Sequence, residues 1–85
     1  MNKNIKQYDV VKIIKINNLN NFTIDSFNKK VPKIGDIATI VEIYNNPSLG
    51  YELECTNGNG TNYLHSFFDS DIELEVLKNL KDKNR

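Results

Sequence analysis

Several residue types are nearly absent from this sequence: its 85 residues include one cysteine, Cys55, one histidine, His65, and one arginine, Arg85. A single cysteine excludes a disulfide within the chain. One cysteine with one histidine is too few for a structural zinc site, which takes about four ligands. Arginine is the usual residue for bidentate contacts to phosphate and guanine, so its scarcity disfavours nucleic acid as a partner. The sequence predicts no metal site and no cofactor.

Long apolar runs are absent too. Nothing approaches the ~18 consecutive apolar residues of a membrane-spanning helix, and no apolar stretch follows the polar N-terminus as in a signal peptide. Asparagine, isoleucine and lysine occur fourteen, ten and ten times, a bias typical of low-GC bacterial coding sequences. We therefore expect a bacterial, cytoplasmic protein without a membrane partner. A chain of this length forms one small domain with little room for a deep active-site cavity.

The sequence does contain a series of short strand patterns. Five segments show apolar–polar alternation or clustered β-branched residues, namely 8–16, 37–44, 51–56, 61–66 and 72–76. Turns rich in asparagine and glycine, with one proline, separate the later segments. In the third and fifth segments the alternation predicts which side chains point inward: Tyr51, Leu53, Cys55, Ile72, Leu74 and Val76.

The first segment and the connection after it are less regular. Strict alternation in the first segment places Val10, Lys12, Ile14 and Ile16 on one face, but its Val-Val and Ile-Ile pairs favour a bent strand or one covered on both sides. Residues 17–33 form a polar connection that is longer than the ~12–15 residues usual for structureless loops, and such loops are often functional. This connection is either a mobile loop or a loop with a short extra strand near Phe22.

Five short strands joined largely by hairpins favour an all-β fold that closes, or nearly closes, into a small barrel, because closure removes unpaired strand edges. We divide the chain into an N-terminal tail (1–7), a small β-barrel domain (8–76) and a charged C-terminal tail (77–85) that frays or forms a short helix. The expected state is a monomer or a weak dimer formed through an edge strand.

The strand segments also resemble a known class. A strand, a gap and a Gly-Asp-x-x-x-x-Val-x-x-Tyr segment before two further strands are similar to the small Src-homology-3-like barrels. The residues that carry this resemblance are Val11, Gly35, Asp36, Val41, Glu42, Tyr44, Tyr51, Leu53 and Asp71 to Glu73. More narrowly, the chain resembles small bacterial barrel proteins of unknown function that are often encoded beside toxin-like genes. That resemblance implies an immunity or antitoxin role.

Catalysis is not predicted. Cys55 and His65 fall on neighbouring strands of a predicted hairpin, but no third residue of a catalytic triad is recognisable, and a lone cysteine is more often part of the core. The acids occur in pairs two residues apart on solvent faces, where both carboxylates stay ionised. Glycosidase chemistry instead needs two carboxyl groups facing each other across a cleft. The sequence therefore predicts a binding protein and not an enzyme.

The charges are strongly divided along the chain although the net charge is zero. Residues 1–33 hold seven lysines and two acids, whereas residues 34–77 hold eight acids and no lysine or arginine. One interpretation is that the acids only keep the outer strands soluble. The other is an acidic face that is complementary to a basic partner.

The leading hypothesis is an immunity or antitoxin-type protein that occludes the site of a cognate toxin, predicted to be a basic nuclease. Partner contacts are predicted at Glu42, Glu52, Glu54, Asp69, Asp71, Glu73, Glu75, Tyr44 and Tyr51, flanked by the 17–33 loop. One alternative is a small nucleic-acid-binding barrel that uses Lys3, Lys6, Lys12, Lys15, Lys29, Lys30 and Lys33. Another is an accessory subunit of a larger complex.

Overall fold

The structure, a computed structural model, describes residues 2, 4–19, 22–26 and 28–81. It contains five β-strands: β1 (Asp9–Ile16), β2 (Ile37–Tyr44), β3 (Gly50–Asn57), β4 (Gly60–Phe68) and β5 (Ile72–Asn79). One turn of 3-10 helix, Asp69–Asp71, joins the last two strands. All neighbouring strands are antiparallel in a single sheet of order β4-β3-β2-β1-β5. The predicted all-β class and its five strands are confirmed.

The sheet does not close, so the predicted closed or nearly closed barrel is not confirmed. Strands β4 and β5 are its two edges, and no ladder joins them in the described part of the chain. The long first loop covers the β4 edge instead. The backbone N–H groups of Lys29 and Lys30 donate to the carbonyl oxygen of Asn62 at 2.7 and 3.2 Å, and the Leu64 N–H donates to Oδ1 of Asn28 at 2.8 Å. The loop thus blocks the edge that closure was expected to remove.

The β5 edge is covered by one side chain from the N-terminal segment. Nδ2 of Asn2 donates to the carbonyl oxygen of Ile72 at 2.9 Å, and the Leu74 N–H donates to Oδ1 of Asn2 at 2.7 Å. The amide group therefore supplies one donor and one acceptor to the edge, as a backbone peptide group of a neighbouring strand would. Ile5 from the same segment packs against the core.

The C-terminal tail was predicted to fray or form a short helix from Leu77, and this is wrong for its first part. Strand β5 continues to Asn79, whose Nδ2 donates to Oδ1 of Asp9 at 2.8 Å and to the carbonyl oxygen of Gln7 at 3.0 Å. These bonds tie the end of β5 to the start of β1. Residues 82–85 lie outside the described residues.

The core lies on the inner face of the sheet. Its largest fully buried side chains are those of Tyr51, Tyr63 and Phe67. Five of the six predicted inward residues of the third and fifth segments are buried, and Val76 is partly buried against them. In β1 the buried residues are Val11 and Ile13, and a register shift after Ile13 turns Ile16 towards the core. The strand is therefore irregular at that point, which fits the prediction of a bent strand.

Three strands begin at an aspartate that accepts a hydrogen bond from the backbone three residues earlier. Asp9 accepts from Lys6 at 2.8 Å before β1, Asp36 accepts from Lys33 at 3.0 Å before β2, and Asp71 accepts from Phe68 at 3.0 Å before β5. Asp9 and Asp71 are buried. Each bond satisfies the carboxylate while fixing the turn that leads into the strand.

A fourth aspartate, Asp69, holds the 3-10 helix against β3. Its Oδ1 accepts from the Tyr51 hydroxyl at 2.6 Å and from Nδ2 of Asn2 at 3.0 Å. Burial by itself raises the pKa of this carboxyl, but the hydrogen bonds from Tyr51 and Asn2 outweigh it, and the pKa of Asp69 lies below its ordinary value. Burial and the bond to Asp69 raise the pKa of Tyr51.

The substitution Tyr51→Phe removes the hydroxyl that donates to buried Asp69. Because a hydrogen bond to a charged group contributes about 1.5–3 kcal/mol, we expect the free energy of unfolding to fall by about that amount. Urea unfolding at neutral pH measures this change. The matched control is Tyr44→Phe, which removes a hydroxyl bonded to Glu52 at the surface and should cost less than about 0.5 kcal/mol. Equal losses in the two variants would contradict the role given to Asp69.

Candidate protein-binding face

Four of the predicted contact residues lie together on the outer face of β2 and β3. Glu52 and Glu54 alternate with the buried residues of β3, so they point away from the core. Glu42 lies opposite Glu52 in the β2–β3 ladder, and the Tyr44 hydroxyl donates to Oε1 of Glu52 at 3.2 Å. We name Glu42, Tyr44, Glu52 and Glu54 the acidic face.

Strand β4 extends the acidic face with two apolar side chains that are not among the predicted contact residues. Leu64 lies opposite Glu54, and Phe68 lies opposite Gly50. Tyr44, Leu64 and Phe68 are 40%, 40% and 39% exposed. Their place beside the carboxylates depends on the β3–β4 register, which the Asn-Gly turn alone leaves open. Exposed aromatic groups beside charged groups are typical of protein interfaces.

The charge of the acidic face is uncompensated. Strands β2, β3 and β4 contain no lysine or arginine, and among the described residues Glu42, Glu52 and Glu54 form no ion pair. Glu42 and Glu52 are direct cross-strand neighbours. Like charges in that position destabilise a sheet by about 0.2–1 kcal/mol relative to neutral pairs. The fold therefore carries a small local penalty at the centre of this face.

The two predicted contact residues of β5 lie in a different electrostatic setting. Oε2 of Glu73 is 3.8 Å from Nζ of Lys15, and Glu75 lies opposite Lys12 in the β1–β5 ladder. Lysines from β1 thus offset the acids of β5. The sequence predicted one acidic field over several strands, whereas the sheet order places β5 beside β1 and away from β3.

The remaining predicted contact residues are interior. Tyr51, Asp69 and Asp71 are 2%, 6% and 7% exposed. Asp69 and Tyr51 bond each other, and Asp71 holds the turn before β5. These three side chains therefore stabilise the fold, and a partner that binds at the surface would make little contact with them.

Cys55 and His65 are not paired with each other. Cys55 lies opposite Tyr63, and His65 lies opposite Leu53. The His65 ring makes edge contacts with the rings of Phe22 and Phe67, at centroid distances of 5.1 and 5.0 Å. Its Nε2 lies 3.1 Å from the carbonyl oxygen of Leu19. These contacts anchor the first loop on the sheet.

The first loop flanks the acidic face at one end. A groove of about 540 Å³ lies between the loop and the sheet, with Asp25 and Lys29 on the loop side and Glu54 and Leu64 on the sheet side. A second groove, of about 680 Å³, is lined by Lys29, Lys30 and Lys33 together with Asp36 and Tyr63. The described loop residues contain no strand, so the extra strand predicted near Phe22 is not present there.

In the described residues, no three histidine, cysteine or acidic side chains are close enough to hold a metal ion together. No helix among those residues is long and apolar enough to cross a membrane. Comparison of the chain with family models, with curated proteins and with solved structures found no match.

The Tyr44 hydroxyl reports on the acidic face. Burial is the largest influence that raises the pKa of Tyr44, followed by the charge of Glu52 and the hydrogen bond to it. The substitution Glu52→Gln removes the negative charge that disfavours the phenolate, so we expect the pKa of Tyr44 to fall towards 10.0. A pH titration of the tyrosine ring carbons by NMR measures it. The control Glu75→Gln, on β5, should leave the Tyr44 pKa unchanged; an unchanged value in Glu52→Gln would contradict the arrangement.

Proposed function

We propose that this chain is a non-catalytic binding protein whose acidic face docks on a basic region of another protein. The observation that carries the proposal is the uncompensated cross-strand pair of Glu42 and Glu52. Two like charges side by side oppose folding slightly and gain a favourable partner only when a cation approaches from outside. Tyr44, Leu64 and Phe68 supply apolar area around the carboxylates, which a purely solubilising surface does not need.

The partner we propose is a cognate toxin, specifically a basic nuclease, which makes the chain an immunity or antitoxin-type protein. Nucleases present lysine and arginine to the phosphate backbone. An acidic face that covers those residues blocks substrate access, and opposite potentials speed the encounter of the two proteins. The resemblance to small proteins encoded beside toxin-like genes supports this proposal independently of the charges. In this proposal the complex forms in the cytoplasm.

The fold that we propose for this role is an open member of the Src-homology-3-like barrel class. Supporting this assignment, four strands follow one another as a meander, and a 3-10 helix then leads to a fifth strand that returns to pair with the first. In this proposal the partner binds the outer surface of β2, β3 and β4.

The test is co-expression of this chain with the product of the adjacent gene, with growth rescue and co-purification as readouts. We expect a stable complex that Glu42→Gln/Glu52→Gln weakens by at least about tenfold, because each lost carboxylate leaves a cation of the partner unpaired. The matched double variant Glu73→Gln/Glu75→Gln removes the same charge from β5, beside Lys12 and Lys15, and should change the affinity less than about threefold.

Stability separates a lost interface from a lost fold in this experiment. The Glu42→Gln/Glu52→Gln variant removes a like-charge pair, so its free energy of unfolding should equal or exceed that of the unmodified chain. Two results would show that the proposal is wrong. One is that the unmodified chain neither forms a complex nor restores growth. The other is that the two double variants weaken the complex equally.

A second function is favoured by one specific observation, the groove lined by Lys29, Lys30 and Lys33. Three cations around one groove could hold a nucleic-acid backbone, as in the small nucleic-acid-binding barrels. The charge balance weakens this candidate, because Asp36 lines the same groove and Lys12 and Lys15 face glutamates on β5. The accessory-subunit alternative has no comparable feature in the described residues.

Fluorescence anisotropy with a short single-stranded RNA and with duplex DNA at low salt separates the two functions. We expect no saturable binding tighter than about 100 µM, the weak end of ordinary non-specific binding. The second function would be established instead by binding tighter than this limit. The affinity would then have to be lower, and less dependent on salt, in a Lys29→Gln/Lys30→Gln/Lys33→Gln variant. The control variant Lys12→Gln/Lys15→Gln, on β1, should behave as the unmodified chain.

A further inference from the structure

A small cavity opens on the acidic face where β3 begins. Tyr44 and Phe68 lie on either side of Gly50 in the ladder, and Pro47 and Ser66 complete the walls. The cavity has a volume of about 170 Å³. At about 30 Å³ for each water molecule of the liquid, that is room for about five or six waters or one long side chain.

Gly50 lines the cavity at a point where the neighbouring strand leaves no room for a side chain. A Cβ atom at this position would lie 2.9 Å from the backbone carbonyl oxygen of Phe67, a separation that real Cβ atoms essentially never show. Any residue other than glycine would therefore force a shift of the β3–β4 ladder. The hydrogen bond from the Tyr44 hydroxyl to Glu52 holds the first ring in place.

The walls of the cavity are chemically unequal. Two aromatic rings and a proline ring form the apolar part. Glu52 does not line the cavity, but its Oε1 accepts from the hydroxyl of Tyr44, which does, at 3.2 Å. Glu42 is its cross-strand neighbour. In the described chain neither carboxylate has an ion-pair partner. The cavity thus has flat apolar walls, and behind its Tyr44 wall lie two carboxylates that have no ion-pair partner among the described residues.

We propose that this cavity is the subsite for one arginine side chain of the partner, an inference that rests on the proposed binding function and names its central contact. A guanidinium group is planar, so it stacks on aromatic rings while its N–H groups donate to carboxylates in its plane. Its three methylene groups fill the apolar part. A lysine ammonium is more strongly hydrated and lacks the flat face, so it fits these walls less well. An uncharged apolar side chain leaves Glu42 and Glu52 unpaired.

The probe is the capped tripeptide acetyl-Gly-Arg-Gly-amide, titrated into the full chain and followed by two-dimensional ¹H–¹⁵N NMR. One side chain supports a dissociation constant on the order of millimolar. We expect saturable shifts centred on the amides of Gly50, Ser66 and Phe68. The same peptide with citrulline, which has nearly the same shape without the charge, should bind at least about fivefold more weakly.

Variants of the chain locate the contact. Phe68→Ala removes one ring and Glu52→Gln one charge, and each should weaken the arginine peptide about fivefold. Leu77→Ala removes an exposed apolar side chain of β5, and Glu75→Gln removes an exposed carboxylate of the same strand; both should leave the dissociation constant unchanged. The dispersion of each NMR spectrum shows whether the variant is folded.

Equal binding of the citrulline peptide, shifts centred elsewhere, or no saturable shift up to about 50 mM peptide overturns the arginine subsite. If the toxin complex forms normally but the arginine peptide does not bind, the arginine subsite is wrong and the proposed function stands. If the peptide binds with the expected variant pattern but no complex forms with the adjacent gene product, the arginine subsite is supported. Its arginine then does not come from that toxin.

Discussion

The fold depends on aspartate carboxylates that accept hydrogen bonds from the chain itself. Asp9, Asp36 and Asp71 each accept a backbone N–H from three residues earlier, and each stands immediately before or at the first residue of a strand. A carboxylate inside a small core, such as that of Asp9 or Asp71, is tolerated only when hydrogen-bond donors satisfy it. These three strands are neighbours in the sheet, in the order β2-β1-β5. The turns that lead into them therefore fix where β1 and the strands on both sides of it begin.

The same interaction explains where prediction from the sequence succeeded and where it failed. Alternation in residues 51–56 and 72–76 predicted the inward faces because burial on one side of a sheet imposes a period of two. The acids were treated as one class, although Asp69 and Asp71 serve the interior while Glu52 and Glu54 face outward. Charge does not distinguish these roles. Side-chain length and a position before a strand do, since a short aspartate reaches its own backbone and a glutamate does so less readily.

Long-range arrangement was the other part that the sequence did not predict. Nothing local indicates that β5 lies beside β1, which brings Lys15 to Glu73 and divides the expected acidic field into a compensated and an uncompensated half. Nor does local pattern reveal that the first loop lies along β4 or that Asn2 occupies the β5 edge. The loop and Asn2 cover the β4 and β5 edges, which closure of the sheet was expected to remove. The sequence predicts contacts at Glu42, Tyr44, Glu52 and Glu54, which the structure places on one face, but it does not predict the cavity beside them.

The strand order also has a consequence for how the molecule is made. The first strand lies between the second and the last, and Asn2 bonds a residue 72 positions later in the sequence. During translation β2, β3 and β4 emerge and can form their hairpins while one side of β1 is still without a partner. Only when β5 leaves the ribosome can Asn79 donate to Asp9 and Asn2 donate to Ile72. Contacts this distant in sequence slow folding, so the nascent chain presents one unpaired edge of β1 to chaperones until synthesis has reached β5.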